Sequence, residues 1–171
     1  DNPELLESKK QGLTCLMRAE MLNELMNLHR QKISVAGTHG KTTTTAIIAT
    51  ILNEARLTPT YLTGSPMKTT GSNANLGKKD YFVTESDESD GSFLKLSPNV
   101  SVITNIEPEH MDFYGSTDNL MTHFKEFGDK TIQQNGYVIL NNDDPYTREH
   151  LISIEENRKI TFSIHHNSDV R

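Results

Sequence analysis

The chain has 171 residues, of which 23 are acidic and 17 basic, giving a formal net charge of -6, and 34% are hydrophobic with no tryptophan. That length suits one ordinary domain with an appendage, and the acidic balance argues against a nucleic-acid partner, which would need clustered Lys and Arg. No run approaches the roughly 20 apolar residues that span a bilayer, and the opening Asp1-Asn2-Pro3-Glu4 lacks the basic and apolar regions of a signal peptide, so no membrane partner is expected. The single Cys15 excludes an internal disulfide, argues against a structural zinc site and fits a reducing, cytoplasmic setting. It reads as a buried thiol.

In chain order, residues 4–10 and 18–29 read as helices. In the second, Met21, Leu22, Leu25, Met26 and Leu28 are spaced to form one apolar stripe. Residues 32–36 read as a strand, followed at once by Gly37-Thr38-His39-Gly40-Lys41 and a helix over 42–55. Further strands fit residues 60–63, 81–84 and 100–104. A helix over about 118–130 leads to a strand at 137–140. The last helix begins near Pro145, with Asp144 as its N-cap, and 159–164 reads as the final strand. Residues 64–79 are rich in Gly, Ser, Asn and Thr and read as a long loop, of the kind that is functional or mobile in compact domains. Short apolar strands alternating with helices predict an α/β fold with a mostly parallel sheet and helices on both faces.

The segment from Gly37 to Thr42 lies between a strand and a helix, the setting of a phosphate-binding loop. Glycines let the backbone curl so that N–H groups face phosphate oxygens, and the helix start adds unpaired N–H groups and a positive dipole end. Lys41 adds a full charge, and the Thr42 hydroxyl is a Mg²⁺ ligand in such loops. Gly37, Thr38, His39, Gly40, Lys41, Thr42 and Thr43 are therefore the candidate nucleotide contacts. The loop is a variant of the strict pattern, because Val35 stands where that pattern has its first glycine. The bland alternative is a glycine turn with Lys41 in solvent.

Two polar stretches follow strands in the same way. Glu85-Ser86-Asp87-Glu88-Ser89-Asp90 supplies hard oxygen ligands at a carboxyl edge, where open parallel sheets bind ligands. A solvated acidic loop is the alternative reading. Thr104-Asn105-Ile106-Glu107-Pro108-Glu109-His110 puts a histidine on that same edge.

Together these strings resemble the Mur ligases, most nearly their alanine-adding members. Ala36 to Thr45 is similar to the family's phosphate loop. Asp87 to Leu94, Thr104 to Asp112, Gly71 to Gly77 and Asn141 to Pro145 are similar to further signatures in the same order. The resemblance runs the length of the chain. It implies residues 1–30 as the tail of a UDP-binding domain and residues 31–171 as most of an ATP-binding domain, so the chain is expected to be a fragment. It also implies an ATP- and Mg²⁺-dependent ligase of peptidoglycan precursor synthesis, with UDP-N-acetylmuramate and L-alanine as substrates and an acyl phosphate between them. Carried over to this chain, Lys41 stabilises the transferring phosphoryl group, Thr42 and Glu85 hold one Mg²⁺, and His110 helps hold a second. Gly64-Ser65 departs from a glycine pair usual in the family, and Lys125 is given no role. The alternatives are a ligase that attaches an intact tripeptide to the same muramate, or a nucleotide-binding module without ligase activity.

Overall fold

A computed structural model of the chain describes residues 2–78, 80–151, 153–154 and 156–170. Asp1, Lys79 and Arg171, which end segments expected from the sequence, lie outside the described residues. The strands are β1 (Gln31–Ala36), β2 (Thr60–Leu62), β3 (Ala74–Asn75), β4 (Tyr81–Glu85), β5 (Val100–Ile103), β6 (Tyr137–Asn141) and β7 (Lys159–Phe162). They form one sheet in the order β3-β2-β4-β1-β5-β6-β7. All pairings are parallel except that of β3, which runs antiparallel to β2 at one edge. The helices are α1 (Pro3–Lys10), α2 (Arg18–Asn27), α3 (Lys41–Glu54), α4 (Met111–Tyr114), α5 (Thr117–Gln133) and α6 (Pro145–His150). The mostly parallel α/β architecture read from the sequence is the one observed. No helix among the described residues is long and apolar enough to cross a membrane.

Successive residues of a strand face opposite sides of a sheet, and the core clusters divide accordingly. Ile33 and Val83, paired in register across β1 and β4, pack with Ala46, Ala49 and Tyr61, which seats α3 on one face. Phe82 points to the other face and meets Leu22 and Met26 of α2. Ala36, Ile103 and Leu140 line up across β1, β5 and β6 and pack with Phe124 and Phe127 of α5. Helix α5 buries Leu120, Met121, Phe124, Phe127, Gly128 and Thr131, a spacing that makes one apolar face. From β1 the chain leaves toward β2 on one side of the sheet, and β5 takes it to the other. That reversal leaves the loops after β1, β4 and β5 side by side at the carboxyl edge.

Several elements differ from the sequence reading. Helix α2 buries only Ala19, Leu22 and Met26, while Met21, Leu25 and Leu28 are exposed. It meets the sheet along a seam narrower than the five-residue stripe. Cys15 is exposed rather than buried. It sits between α1 and α2 in a stretch whose Leu13, Leu16 and Met17 also lack cover. The long loop after β2 contributes the two-residue β3, too short to leave a periodic signal. The final strand stops at Phe162, because Ser163 and Ile164 turn back to bond the Asp143 carboxylate. The N–H of Ile164 and the hydroxyl of Ser163 push that carboxyl down to about 2. Asp144 caps α6 by accepting from the Thr147 N–H at 2.7 Å, with Pro145 in the first turn, as the sequence suggests.

Phe93 belongs to a short 3-10 turn (Ser92–Lys95) that follows the acidic stretch. It is fully buried, with ring centroids 5.2 Å from Phe124 and 5.1 Å from Phe127. The acidic loop is thus anchored in the core by one aromatic side chain. Phe93→Ala is expected to lower unfolding free energy by about 3–5 kcal/mol, the usual cost of truncating a buried aromatic. Urea denaturation checks this, and a loss below about 1 kcal/mol would contradict the anchoring.

Candidate functional site

The segment between β1 and α3 curls through two glycines in the positive-φ region, Gly37 at 131° and Gly40 at 84°, which suits residues without a Cβ. At Gly37 the requirement is also steric. A Cβ there would lie 2.2 Å from the Thr104 hydroxyl oxygen and 2.9 Å from the Asn105 carbonyl oxygen. The close approach lets the segment after β5 clamp the loop. The Thr38 N–H donates to the Asn105 carbonyl at 3.0 Å, and the His39 N–H donates to Asn105 Oδ1 at 2.8 Å. Asn105 Nδ2 and the Thr104 hydroxyl both donate to the His39 carbonyl, at 2.9 and 2.7 Å. The Glu107 N–H donates to the Thr38 hydroxyl at 2.8 Å. Two N–H groups of the loop are therefore committed to Asn105 in this conformation. The donors that remain include those of Gly40, Lys41, Thr42 and Thr43, at the start of α3, which have no intrahelical acceptor.

Lys41 folds back over the loop. Its ammonium donates to the carbonyls of Gly37 at 2.6 Å and Thr38 at 3.1 Å, and to Glu88 Oε1 at 2.7 Å. Glu88 is only 3% exposed, and its second oxygen has no hydrogen-bond partner among the described residues. Burial raises the Glu88 carboxyl above the usual range, against the opposing pull of Lys41. The Tyr114 hydroxyl donates to the Glu88 carbonyl, and burial, reinforced by the Glu88 charge, raises that phenol as well. The composition of the acidic run did not separate Glu88 from Asp87 and Asp90, since only tertiary packing buries one of the three.

The Thr42 hydroxyl donates to Glu85 Oε2 at 2.7 Å. Glu85 is the last residue of β4, so adjacent parallel strands deliver both groups to one point. Gly64 makes room for them. A Cβ there would stand 2.2 Å from Glu85 Oε1 and 3.1 Å from the Thr42 hydroxyl oxygen. A hydroxyl and a carboxylate in contact, close to a lysine and a helix start, form an all-oxygen donor set that fits Mg²⁺. Beside them a groove of about 480 Å³ opens between α3 and the loop after β2, its walls including Thr42, Ile47, Ile51 and Met67.

His110 is placed differently. It follows β5 on the same edge and caps α4 with φ 55°, but it is exposed. Its ring makes no hydrogen bond or ion pair with any described residue, Thr42 and Glu85 included. The imidazole that does meet carboxylates is His39, whose Nε2 lies 3.6 Å from Glu107 and 4.0 Å from Glu109. These three groups, all exposed, bring one ligand atom each within 4.8 Å of one another. The sequence reading did not pair His39 with Glu107 and Glu109, because the contacts join residues 68 and 70 positions apart and leave no local pattern.

Comparison with known proteins places this arrangement. The chain is 44% identical over its full length to the UDP-N-acetylmuramate–L-alanine ligase of Methylorubrum populi, of which it covers 36%. It is likewise 44% identical to the enzyme of that name from Aquifex aeolicus, covering 37% of it. Among solved structures, the UDP-N-acetylmuramate–alanine ligase of Thermotoga maritima superposes with a TM-score of 0.80 at 28% identity, over 97% of this chain and 36% of that one. A UDP-N-acetylmuramate:L-alanyl-γ-D-glutamyl-meso-diaminopimelate ligase from Neisseria meningitides gives a TM-score of 0.78 at 25% identity, over 92% of this chain and 53% of that one. The chain thus spans little more than a third of the length of the curated relatives it matches. Residues 35–171, the stretch that holds the glycine loop, its clamp and the Thr42–Glu85 pair, match the model of the Mur ligase middle domain, and the chain belongs to the Mur ligase family.

Proposed function

We propose that this chain is the ATP-binding part of a ligase that joins L-alanine to the carboxylate of UDP-N-acetylmuramate, in peptidoglycan precursor synthesis. The observation that carries this reading is the convergence of Lys41, Thr42 and Glu85 at one end of α3, within a chain 44% identical throughout to ligases named for that reaction. A nucleoside triphosphate fits here by resting its phosphates on the first-turn N–H groups of α3, with the Gly37–Gly40 loop around them. Gly37, Thr38, His39 and Gly40 shape the loop, Lys41 supplies the mobile cation, and Thr42 and Thr43 add N–H and hydroxyl donors. Thr42 and Glu85 would hold Mg²⁺, which when bound neutralises phosphate charge.

In the reaction so assigned, an oxygen of the muramoyl carboxylate attacks the γ-phosphorus of ATP. The bond from that phosphorus to the bridging oxygen breaks, giving an acyl phosphate and ADP. The alanine amine then attacks the acyl carbon, loses a proton, and inorganic phosphate leaves. Lys41 serves the first step by meeting charge as it spreads over the transferring phosphoryl oxygens. The groove beside Thr42 offers an acceptor a way to the phosphate end. The His39–Glu107–Glu109 group includes a residue of the loop itself, and His110, on the same edge of the sheet, is assigned to a second cation by family resemblance alone. A ligase supplied with ATP in this way would act in the cytoplasm.

The reading is tested by product formation in the full-length protein with ATP, Mg²⁺, UDP-N-acetylmuramate and a panel of amino acids and the tripeptide. Amide formation with L-alanine is expected. Product with the tripeptide alone would assign the protein to the recycling reaction, and no product with any acceptor would leave a nucleotide-binding module. In the same assay Lys41→Ala is expected to lower turnover by about 10³-fold or more, the scale for charge stabilisers at phosphoryl transfer. Near-normal turnover in that variant contradicts the role given to Lys41. Glu85→Ala is expected to raise the Mg²⁺ concentration for half-maximal rate by at least about 10–100-fold, the cost of losing even an outer-shell partner of a metal. An unchanged Mg²⁺ requirement would remove Glu85 from the metal site.

A further inference from the structure

We propose that Glu88 is the positioning residue for Lys41, a buried carboxylate that holds the ammonium across the phosphate loop and competes for it with an incoming triphosphate. The proposal rests on the nucleotide reading above and adds a residue to it. All three protons of the Lys41 ammonium are engaged within the protein, by the Gly37 and Thr38 carbonyls and by Glu88. The pair is unequal in mobility. The Glu88 side chain is 4% exposed and that of Lys41 21%. The Glu88 backbone is pinned, with its carbonyl accepting from the Tyr114 hydroxyl and from the Gly91 N–H, and Phe93 roots the same loop in the core.

Lysine, on its four-carbon stem, is therefore the partner that moves. A triphosphate in the loop offers it several anionic oxygens, and full engagement draws it from Glu88. The second Glu88 oxygen has no partner among the described residues, so Lys41 is the cation that compensates this buried charge. Leaving a buried carboxylate alone is costly, and that cost is subtracted from nucleotide affinity. In return the ammonium is kept at the rim of the loop instead of sampling solvent. Glu88 touches neither phosphate nor acceptor in this scheme and acts through Lys41.

The competition gives a signature that mere loss of structure does not. Removing the Glu88 charge should strengthen nucleotide binding, whereas damage to the loop weakens it. The experiment is calorimetric titration of the full-length protein with Mg²⁺ and a non-hydrolysable ATP analogue, in wild type, Glu88→Gln, Lys41→Ala and the double variant. Glu88→Gln is expected to bind the analogue more tightly by on the order of tenfold, the scale of one charge-assisted hydrogen bond. In the Lys41→Ala background the same change is expected to shift affinity by less than about twofold, because the two effects are coupled. Should Glu88→Gln melt before it can be titrated, Glu88→Leu replaces it, since Lys41, the more exposed partner on a flexible stem, can turn to solvent and leave no charge buried beside the apolar side chain, and the same tightening is expected. Weaker or unchanged binding in the folded Glu88 variant overturns the proposal, as does an equal gain with and without Lys41. Failure of the wild type to bind the analogue is a different result, because it sinks the nucleotide reading itself.

Discussion

The clamp between Asn105 and the phosphate loop is the interaction on which the rest of the site depends. Asn105 grips His39 from both sides of its peptide, accepting from its N–H and donating to its carbonyl. Such hydrogen bonds contribute only about 0.5–1.5 kcal/mol each to net stability, so their effect lies less in the fold than in the shape of the loop. The grip is possible because Gly37 has no Cβ to strike Thr104 and Asn105. It binds the end of β1 to the end of β5 and uses the N–H groups of Thr38 and His39. The first turn of α3 is left as the donor surface, with the Lys41 side chain folded across the loop. Sheet order supplies the neighbourhood, and the clamp sets the geometry within it.

Charge at this edge is arranged in two layers. Behind the loop, Lys41 is neutralised by a carboxylate that burial has made reluctant to ionise. Beside it, Glu85 meets a hydroxyl and, among the described residues, no cation, through the gap that Gly64 leaves. A carboxylate so placed suits a divalent ion that arrives with a triphosphate. The same logic explains how a chain of net charge -6 can be read as a binder of an anion. Backbone N–H groups, one lysine and a metal act locally, and overall charge does not decide the outcome.

Much of this was legible in the sequence, for identifiable reasons. The strand, glycine loop and helix around Lys41 are adjacent in the chain, so their pattern is local. Glu85 could be assigned to the carboxyl edge because a strand end is readable and parallel topology fixes which edge it joins. Helix α5 and the cap at Asp144 follow from side-chain period and capping chemistry. What escaped depends on packing between distant segments. Glu88 differs from Asp87 and Asp90 only through tertiary burial, and His39 meets Glu107 and Glu109 only through the clamp. Cys15, Met21, Leu25 and Leu28 show the converse failure, since residue type and spacing suggested burial where no described element covers them. His110 lies on the expected edge, yet its ring joins no described partner, which strand position could not reveal.

The central claim is that the clamped loop and the Thr42–Glu85 pair together make one site for a metal-bound triphosphate. Crystals of the full-length protein grown with Mn²⁺ and a non-hydrolysable ATP analogue test this directly, because Mn²⁺ scatters anomalously and takes the oxygen ligands that Mg²⁺ does. The expected result is an anomalous peak bonded to the Thr42 hydroxyl and the Glu85 carboxylate, with the phosphates on the first turn of α3 and Lys41 turned toward them. A peak confined to His39, Glu107 and Glu109, or phosphates lying away from α3, would contradict the account.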